Sequence, residues 1–211
     1  NAMRPFCFLF FLLAVLVLWT QASASPSALP GAPEWNGRIS TLGRIDSSAS
    51  PGRAMLQFKA DGHILGFQPG RVYLAGLDHA LCVEFVGTPG ATPESLNATQ
   101  TSDAMNQAAE LKKVVYKNLW QGIDLTYEGT ANGITESTYH VSPGADVAKI
   151  RLRYNVPVEA RKDGSLKIGF IGGYLTESQP VAWQEIGGER VPVKVAFNVS
   201  GREIGFKVGP Y

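Results

Sequence analysis

Alternation of apolar and polar residues over positions 123–128 is the feature that most constrains how this 211-residue chain can fold. Ile123, Leu125 and Tyr127 are each followed by a polar residue. Because successive side chains of a β-strand point to opposite faces, this two-residue period places one set toward a core and the other toward solvent. The surrounding segment 114–154 therefore predicts antiparallel strands and turns, and it contains no catalytic motif.

Turn-forming glycine pairs recur between the apolar runs, for example Asn132-Gly133 and Gly187-Gly188. Such pairs admit the positive φ angles that tight hairpins need, and none precedes a helix as a phosphate-binding loop would. We therefore predict an all-β, antiparallel sandwich-like fold of hairpins and meanders, with at most one short helix at 103–113. The predicted strands are 55–59, 64–67, 71–75, 80–86, 122–128, 135–141, 149–154, 166–171, 181–186, 190–199 and 203–208.

Residues 1–24 have the composition of a tag remnant followed by a signal peptide. Arg4 precedes an apolar stretch at 6–19, which is shorter than the about 20 residues that span a bilayer. The small residues at 22–24 match the pattern that signal peptidase accepts, so we expect cleavage after Ala24 and an exported chain without a membrane span. The alternative is an uncleaved N-terminal anchor.

The rest of the chain divides into a flexible linker at 25–37, rich in Ser, Ala and Pro, and an all-β domain at 38–211. The domain is either one unit or two packed subdomains, 38–113 and 114–211. Loss of Arg4 with the leader changes 19 basic against 18 acidic residues to 18 against 18. A neutral chain has no electrostatic reason to bind nucleic acid, so we predict no such partner.

Cys82 is the single cysteine that remains after residue 24. One thiol cannot form an internal disulfide in an exported chain. Because it lies in the strand-like apolar run 80–86, we interpret it as a small buried hydrophobic residue, with an oxidisable or intermolecular thiol as the alternative.

Several turn and core signatures of the second half resemble one known family. They are YKNLWQGIDLTY at 116–127, YHVSPGAD at 139–146, DGSLKI at 163–168, PVAWQE at 180–185 and the segment 199–211. Together they are similar to the N-terminal all-β domain of bacterial cell-surface proteins that carry SBBP (β-propeller) repeats. This resemblance implies an exported, surface-associated module, and it brings no catalytic residues.

One candidate site combines Asp124 and Glu128 with Glu136 and His140. Glu136 and His140 share a strand face but lie about 13 Å apart along it, so they cannot both bind one metal ion directly. The other two residues could approach them across a hairpin and form a general acid–base pair or a calcium site. The alternative is a solvated polar face. No histidine lies in a metal-binding spacing, so we predict no metal, cofactor or catalytic residue.

Aromatic rings offer a second kind of candidate site, because an exposed ring can stack on a sugar or on a partner's apolar surface. Trp120, close to Gly122 and a turn, is the best candidate for an exposed ring, and Trp183 is ambiguous. Tyr127 and Tyr139 share the parity of the apolar residues and are expected to point inward. Core packing is the alternative for both tryptophans.

These observations favour an exported, non-enzymatic interaction or scaffolding module that binds a protein or glycan at the bacterial cell surface. The alternative is a carbohydrate-binding module, or a small carbohydrate-active hydrolase using Asp124, Glu128 or Glu136. A third possibility is a purely architectural domain, which would cap an adjoining β-propeller or self-associate through an open strand edge.

Overall fold

A computed structural model of the protein describes residues 10–15, 56–60, 62–95, 113–130 and 133–211. Within these ranges the chain forms seventeen β-strands and one 3-10 helix, Val147–Lys149. The strands are β1 (Phe10–Val15), β2 (Leu56–Ala60), β3 (His63–Gln68), β4 (Arg71–Ala75), β5 (Ala80–Phe85), β6 (Pro93–Ser95), β7 (Lys113–Trp120), β8 (Ile123–Thr130), β9 (Gly133–Val141), β10 (Leu152–Tyr154), β11 (Val158–Ala160), β12 (Leu166–Phe170), β13 (Gly173–Glu177), β14 (Val181–Ile186), β15 (Glu189–Val193), β16 (Val195–Ser200) and β17 (Glu203–Val208).

The strands form three antiparallel sheets, and the predicted all-β, sandwich-like fold is confirmed. The first sheet has the order β15-β14-β1-β9-β8-β7-β6, and the second has the order β16-β17-β10-β5-β4-β3-β2. The third is a small sheet of β11, β12 and β13. Because β10 pairs with both β5 and β17, strands from the early and late parts of the chain share the second sheet.

The two large sheets pack face to face through aromatic side chains. On the second sheet, the Phe85 ring centroid lies 5.1 Å from that of Tyr116 and 5.8 Å from that of Trp120, both on the first sheet. Tyr139 of the first sheet packs edge-on against Phe206 of the second at 5.4 Å. Such T-shaped pairs add about 0.5–1.5 kcal/mol beyond the burial of their area. The aromatic layer thus holds the sheets together.

Strand β1 lies between β9 and β14 and pairs with both. It belongs to the apolar stretch predicted as the central part of a signal peptide. Cleavage after Ala24 stays a prediction, because the described residues give no information about processing. The predicted linker 25–37 lies outside the described residues, as does the predicted helix apart from Lys113, which begins β7.

The predicted single strand 190–199 is wrong, because the chain changes sheets within it. β15 pairs with β14 in the first sheet, whereas β16 pairs with β17 in the second. The crossing occurs at Lys194, whose carbonyl accepts a 2.8 Å hydrogen bond from the amide of Gly209. The predicted strand 149–154 also begins later, because a 3-10 helix occupies Val147–Lys149.

Candidate functional site

Five of the six candidate residues lie on the outward face of the first sheet. On β8 and β9, Asp124 is the register partner of His140, and Glu128 is the partner of Glu136. Side chains directly opposite each other on antiparallel strands are about 5 Å apart at Cβ. The hairpin therefore forms two pairs that lie about 13 Å apart along the strands, and Trp183 lies on the same face, two strands away from His140.

The charges on this face are partly paired. Lys113 of β7 forms an ion pair with Glu128, and both side chains are partly exposed. Desolvation and then the Lys113 charge lower the pKa of His140, and together they outweigh the opposing effect of Asp124 and Glu128. His140 is therefore a neutral imidazole at neutral pH, able to accept or donate a hydrogen bond.

Asp124 has a structural role in the turn that joins β7 and β8. Its Oδ1 accepts a 2.7 Å hydrogen bond from the amide of Asn118. Asn118 has a φ of 47°, and its own Oδ1 accepts a 2.8 Å bond from the amide of Gly122. These contacts stabilise a left-handed backbone conformation that asparagine tolerates better than most residues. One oxygen of Asp124 is thus occupied by the fold.

Of the two interpretations of Trp120, core packing is confirmed and the exposed ring is wrong, because the side chain is only 3 % exposed. Its Nε1 donates a 3.0 Å hydrogen bond to the carbonyl of Val86. The β7–β8 register shifts between Tyr116 and Trp120, so the alternation is interrupted and both Leu119 and Trp120 face the core. The ring belongs to the aromatic layer and is not a contact residue of the outward face.

Trp183 is the aromatic member of the outward face. The Arg190 guanidinium carbon lies 4.9 Å from the ring centroid, a cation–π arrangement. Trp183 and His140 are both register partners of Leu12 on β1. Since neighbouring strands are about 4.8 Å apart, Trp183 lies about 10 Å from His140 and about 14 Å from Asp124, which is one strand further away.

The hairpin of β14 and β15, which we call the edge hairpin (residues 181–193), exposes apolar side chains. Val181 is 55 % exposed, Ile186 41 % and Val191 38 %. Among the described strands, β15 is the last of the first sheet and pairs with β14 alone. Pro192 on β15 has no N–H group, which is a common way to limit pairing along an exposed edge.

A family model described as a domain of unknown function (DUF7948) matches residues 74–211, more than half of the chain. The chain belongs to the DUF7948 family. No curated protein and no solved structure matches it. The matched DUF7948 region contains the outward-face residues and the edge hairpin, whereas β1, β2 and β3 precede it.

The described part of the DUF7948 chain contains neither a membrane-spanning helix nor a cluster of metal ligands. In the ranges that the structure describes, no helix has the length and apolar character needed to cross a membrane. Among the same residues, His, Cys, Asp and Glu side chains form no group of three or more that could hold a metal ion.

A buried acid of the DUF7948 domain was missed by sequence reasoning. Glu177 at the end of β13 is 4 % exposed, and its carboxyl accepts a 2.7 Å hydrogen bond from the hydroxyl of Tyr154. Burial raises the pKa of Glu177 to about 7, and the bond from Tyr154 opposes this rise. The sequence does not indicate a buried acid here, because Glu177 lies in a polar run with the composition of a turn.

Glu177 lines a cavity of about 40 Å³ between the sheets of the DUF7948 domain, together with Tyr127, Tyr139 and Ser137. A water molecule occupies about 30 Å³ in the liquid, so the cavity has room for water but not for an organic substrate. The predicted inward orientation of the two tyrosines is confirmed. This cluster is therefore a feature of the interior and not an active site.

Cys82 of the DUF7948 domain is a free thiol, but it is half-buried rather than fully buried as expected. Burial raises the pKa of its thiol, so the reactive thiolate is disfavoured. The backbone amide of Cys82 donates a 2.8 Å hydrogen bond to Asn155 Oδ1. The residue thus has the environment of a packing residue.

Proposed function

We infer that the protein is an exported, non-enzymatic interaction module of a bacterial surface protein, and that it binds a protein partner through the edge hairpin. The observation that carries this inference is the exposure of apolar side chains next to the last described strand of the first sheet, with Ile186 and Val191 as neighbours on one face of the hairpin and Val181 on the other. Exposed apolar residues grouped in this way mark protein interaction sites more often than scattered ones do.

The chemistry of the edge hairpin favours a partner with apolar side chains. Trp183 and Arg190 are residue types enriched at binding hot spots, and they are already held together by a cation–π contact. A partner strand added along β15 would meet a missing donor at Pro192, so side-chain contacts contribute more to recognition than a continuous hydrogen-bond ladder.

Site-specific photocrosslinking tests this inference. A crosslinking amino acid placed at Val181 or Val191 is expected to give the same discrete adduct on intact cells of the source bacterium. Lys162, exposed in the turn between β11 and β12, is the matched control position and should give none. Identical adducts from all three positions, or none from the hairpin, would refute a partner-binding hairpin.

Export is proposed from the apolar stretch at 6–19 and the small residues at 22–24. The resemblance to SBBP-repeat proteins supports the same location and an adjoining β-propeller as one architectural neighbour. Cell fractionation and N-terminal sequencing of the full chain test export. A mature protein beginning at Ser25 outside the cytoplasm is the expected result, whereas an intact cytoplasmic chain would contradict export.

A carbohydrate-binding role is the second candidate. It is favoured by the position of Trp183 on the same face as His140, at about 10 Å in the full chain, where β1 lies between their strands. A glycan-array screen with and without calcium, combined with an assay for new reducing ends, tests it. Saturable binding lost in Trp183→Ala would support a binding module. Released reducing ends would instead make Asp124, Glu128 and Glu136 catalytic candidates.

A further inference from the structure

Two of the three histidines of the chain meet inside the second sheet although they are far apart in sequence. His63 begins β3, and His79 lies in the loop between β4 and β5. Because Ile64 is the register partner of Ala75, the loop that follows β4 returns beside the start of β3. The Nε2 atoms of the two imidazoles are 3.2 Å apart.

Asp78 fixes the orientation of one of these rings. Its Oδ1 lies 2.8 Å from Nδ1 of His79. An ionised carboxylate can only accept, so Nδ1 of His79 carries the proton. The Nε2 atom of a neutral His79 therefore has its lone pair available on the side that faces His63.

Packing holds both rings in place. His63 is 5 % exposed, and the His79 side chain is 6 % exposed. A Cβ added to Gly76 would lie 2.4 Å from Cε1 of His79, so the imidazole rests directly on this glycine. The Phe170 ring lies 4.8 Å from the His79 ring. The two nitrogens are thus presented by a rigid pocket and not by free surface side chains.

We propose that His63 and His79 bind one divalent transition-metal ion, of which Zn²⁺ is the representative, through their Nε2 atoms. Two nitrogens each about 2.0–2.1 Å from a tetrahedral zinc are about 3.3 Å apart, close to the separation found here. Imidazole nitrogen suits zinc, copper and nickel, whereas calcium prefers oxygen ligands. Among the residues that the structure describes, two protein ligands converge here, so water would complete the coordination.

Asp78 serves in this site as a positioning residue. A carboxylate that accepts the second N–H of a ligating histidine is a common outer partner of zinc, and its loss typically weakens metal binding about 10–100-fold. His63 binds the metal in the tautomer that carries its proton on Nδ1.

The competing explanation is a simple N–H···N hydrogen bond between the rings, which has the same separation. Isothermal titration of the full chain, prepared without a polyhistidine tag, with ZnCl₂ separates the two. We expect one equivalent of metal to bind. His63→Gln and His79→Gln should each weaken Zn²⁺ binding at least tenfold. Asp78→Asn should weaken it about 10–100-fold.

His140→Gln is the matched control, because His140 is the third histidine and lies on the other large sheet. Its affinity for Zn²⁺ should equal that of the wild type. No binding, unchanged binding in His79→Gln, or loss of binding in His140→Gln would each overturn the proposal.

A measurement on the unmodified protein tests the proposal even if the variants fail to fold. In ¹⁵N spectra of the imidazoles, Zn²⁺ should shift the Nε2 resonances of two histidines and leave those of the third in place. Shifts of all three, or of the third alone, would point to surface binding and contradict a built site.

Discussion

The Tyr154 hydroxyl donates a 2.7 Å hydrogen bond to the Glu177 carboxyl between the sheets. Tyr154 belongs to β10 of the second sheet, and Glu177 belongs to β13 of the third. A buried polar group needs such a partner, because an unsatisfied one costs about 1–3 kcal/mol. The contact joins the small sheet to the sandwich, and it does so through a group whose charge depends on pH.

The fold should lose stability as pH rises from about 4.5 to about 7. The pKa of Glu177 is about 7 in the folded protein, against an ordinary value of 4.5. A raised pKa means that the folded state holds the proton more tightly, so this contribution is complete below pH 4.5 and is lost as pH rises to about 7. The loss is about 3 kcal/mol, to be measured by urea unfolding across this range.

Glu177→Gln is the control for this pH effect. The amide keeps the size of the side chain and does not titrate. The difference in unfolding free energy between wild type and variant should therefore change between pH 4.5 and about 7. It should stay constant at higher pH. A difference that does not vary with pH would show that the carboxyl is not buried as described.

The two tryptophans should respond differently to truncation. Trp120→Ala removes a core ring and its hydrogen bond to Val86, so we expect a loss of about 3–5 kcal/mol. Trp183→Ala removes a half-exposed ring and should cost much less. Denaturant unfolding of both variants checks this, and equal losses would mean that Trp183 is also a core residue.

Gly76→Ala should displace the His79 ring. The added Cβ would lie 2.4 Å from Cε1 of His79, and overpacking of this kind costs about 1–3 kcal/mol. Gly169→Ala is the matched control, because nothing lies within 4 Å of its Cβ position. Thermal unfolding should show a lower midpoint for the first variant only. Similar midpoints would argue against the close approach at Gly76.

Asn118 should tolerate glycine better than alanine. Alanine loses the hydrogen bond to the Gly122 amide and must adopt a φ of 47°, for a combined cost of about 2–3 kcal/mol. Glycine loses only the hydrogen bond and should cost about 1 kcal/mol. Lys117→Ala, at a neighbouring exposed position, should change the unfolding free energy by less than about 0.5 kcal/mol. Equal costs for alanine and glycine would contradict a strained backbone.

Strands with clear alternation between glycine-containing turns were predictable from the sequence. β4, β14 and β17 lie at the predicted residues. The short β11 and the glycine-led β13 were not predicted, because their pairing with β12 and not their own pattern makes them strands. The crossing at Lys194 was also missed, since an apolar run does not say to which sheet it belongs.

The residues of the candidate sites were predictable only where contacts are local. The pairing of Asp124 with His140 follows from one hairpin and two-residue periodicity. The contacts of His63 with His79 and of Tyr154 with Glu177 depend on how strands from distant segments are ordered. Trp120 was misjudged because the interrupted register in β7 turns two consecutive side chains inward.

Strand β1 has a consequence for the timing of export and folding. If residues 1–24 are removed as proposed, β9 and β14 each lose a neighbour, and both run antiparallel to the strand that leaves. In a molecule that folded before cleavage, the leader would be paired with strands on both sides in the middle of a sheet. The processing protease could not reach it there. Transport and cleavage must then precede folding, and in the finished domain β9 and β14 are no longer joined through β1.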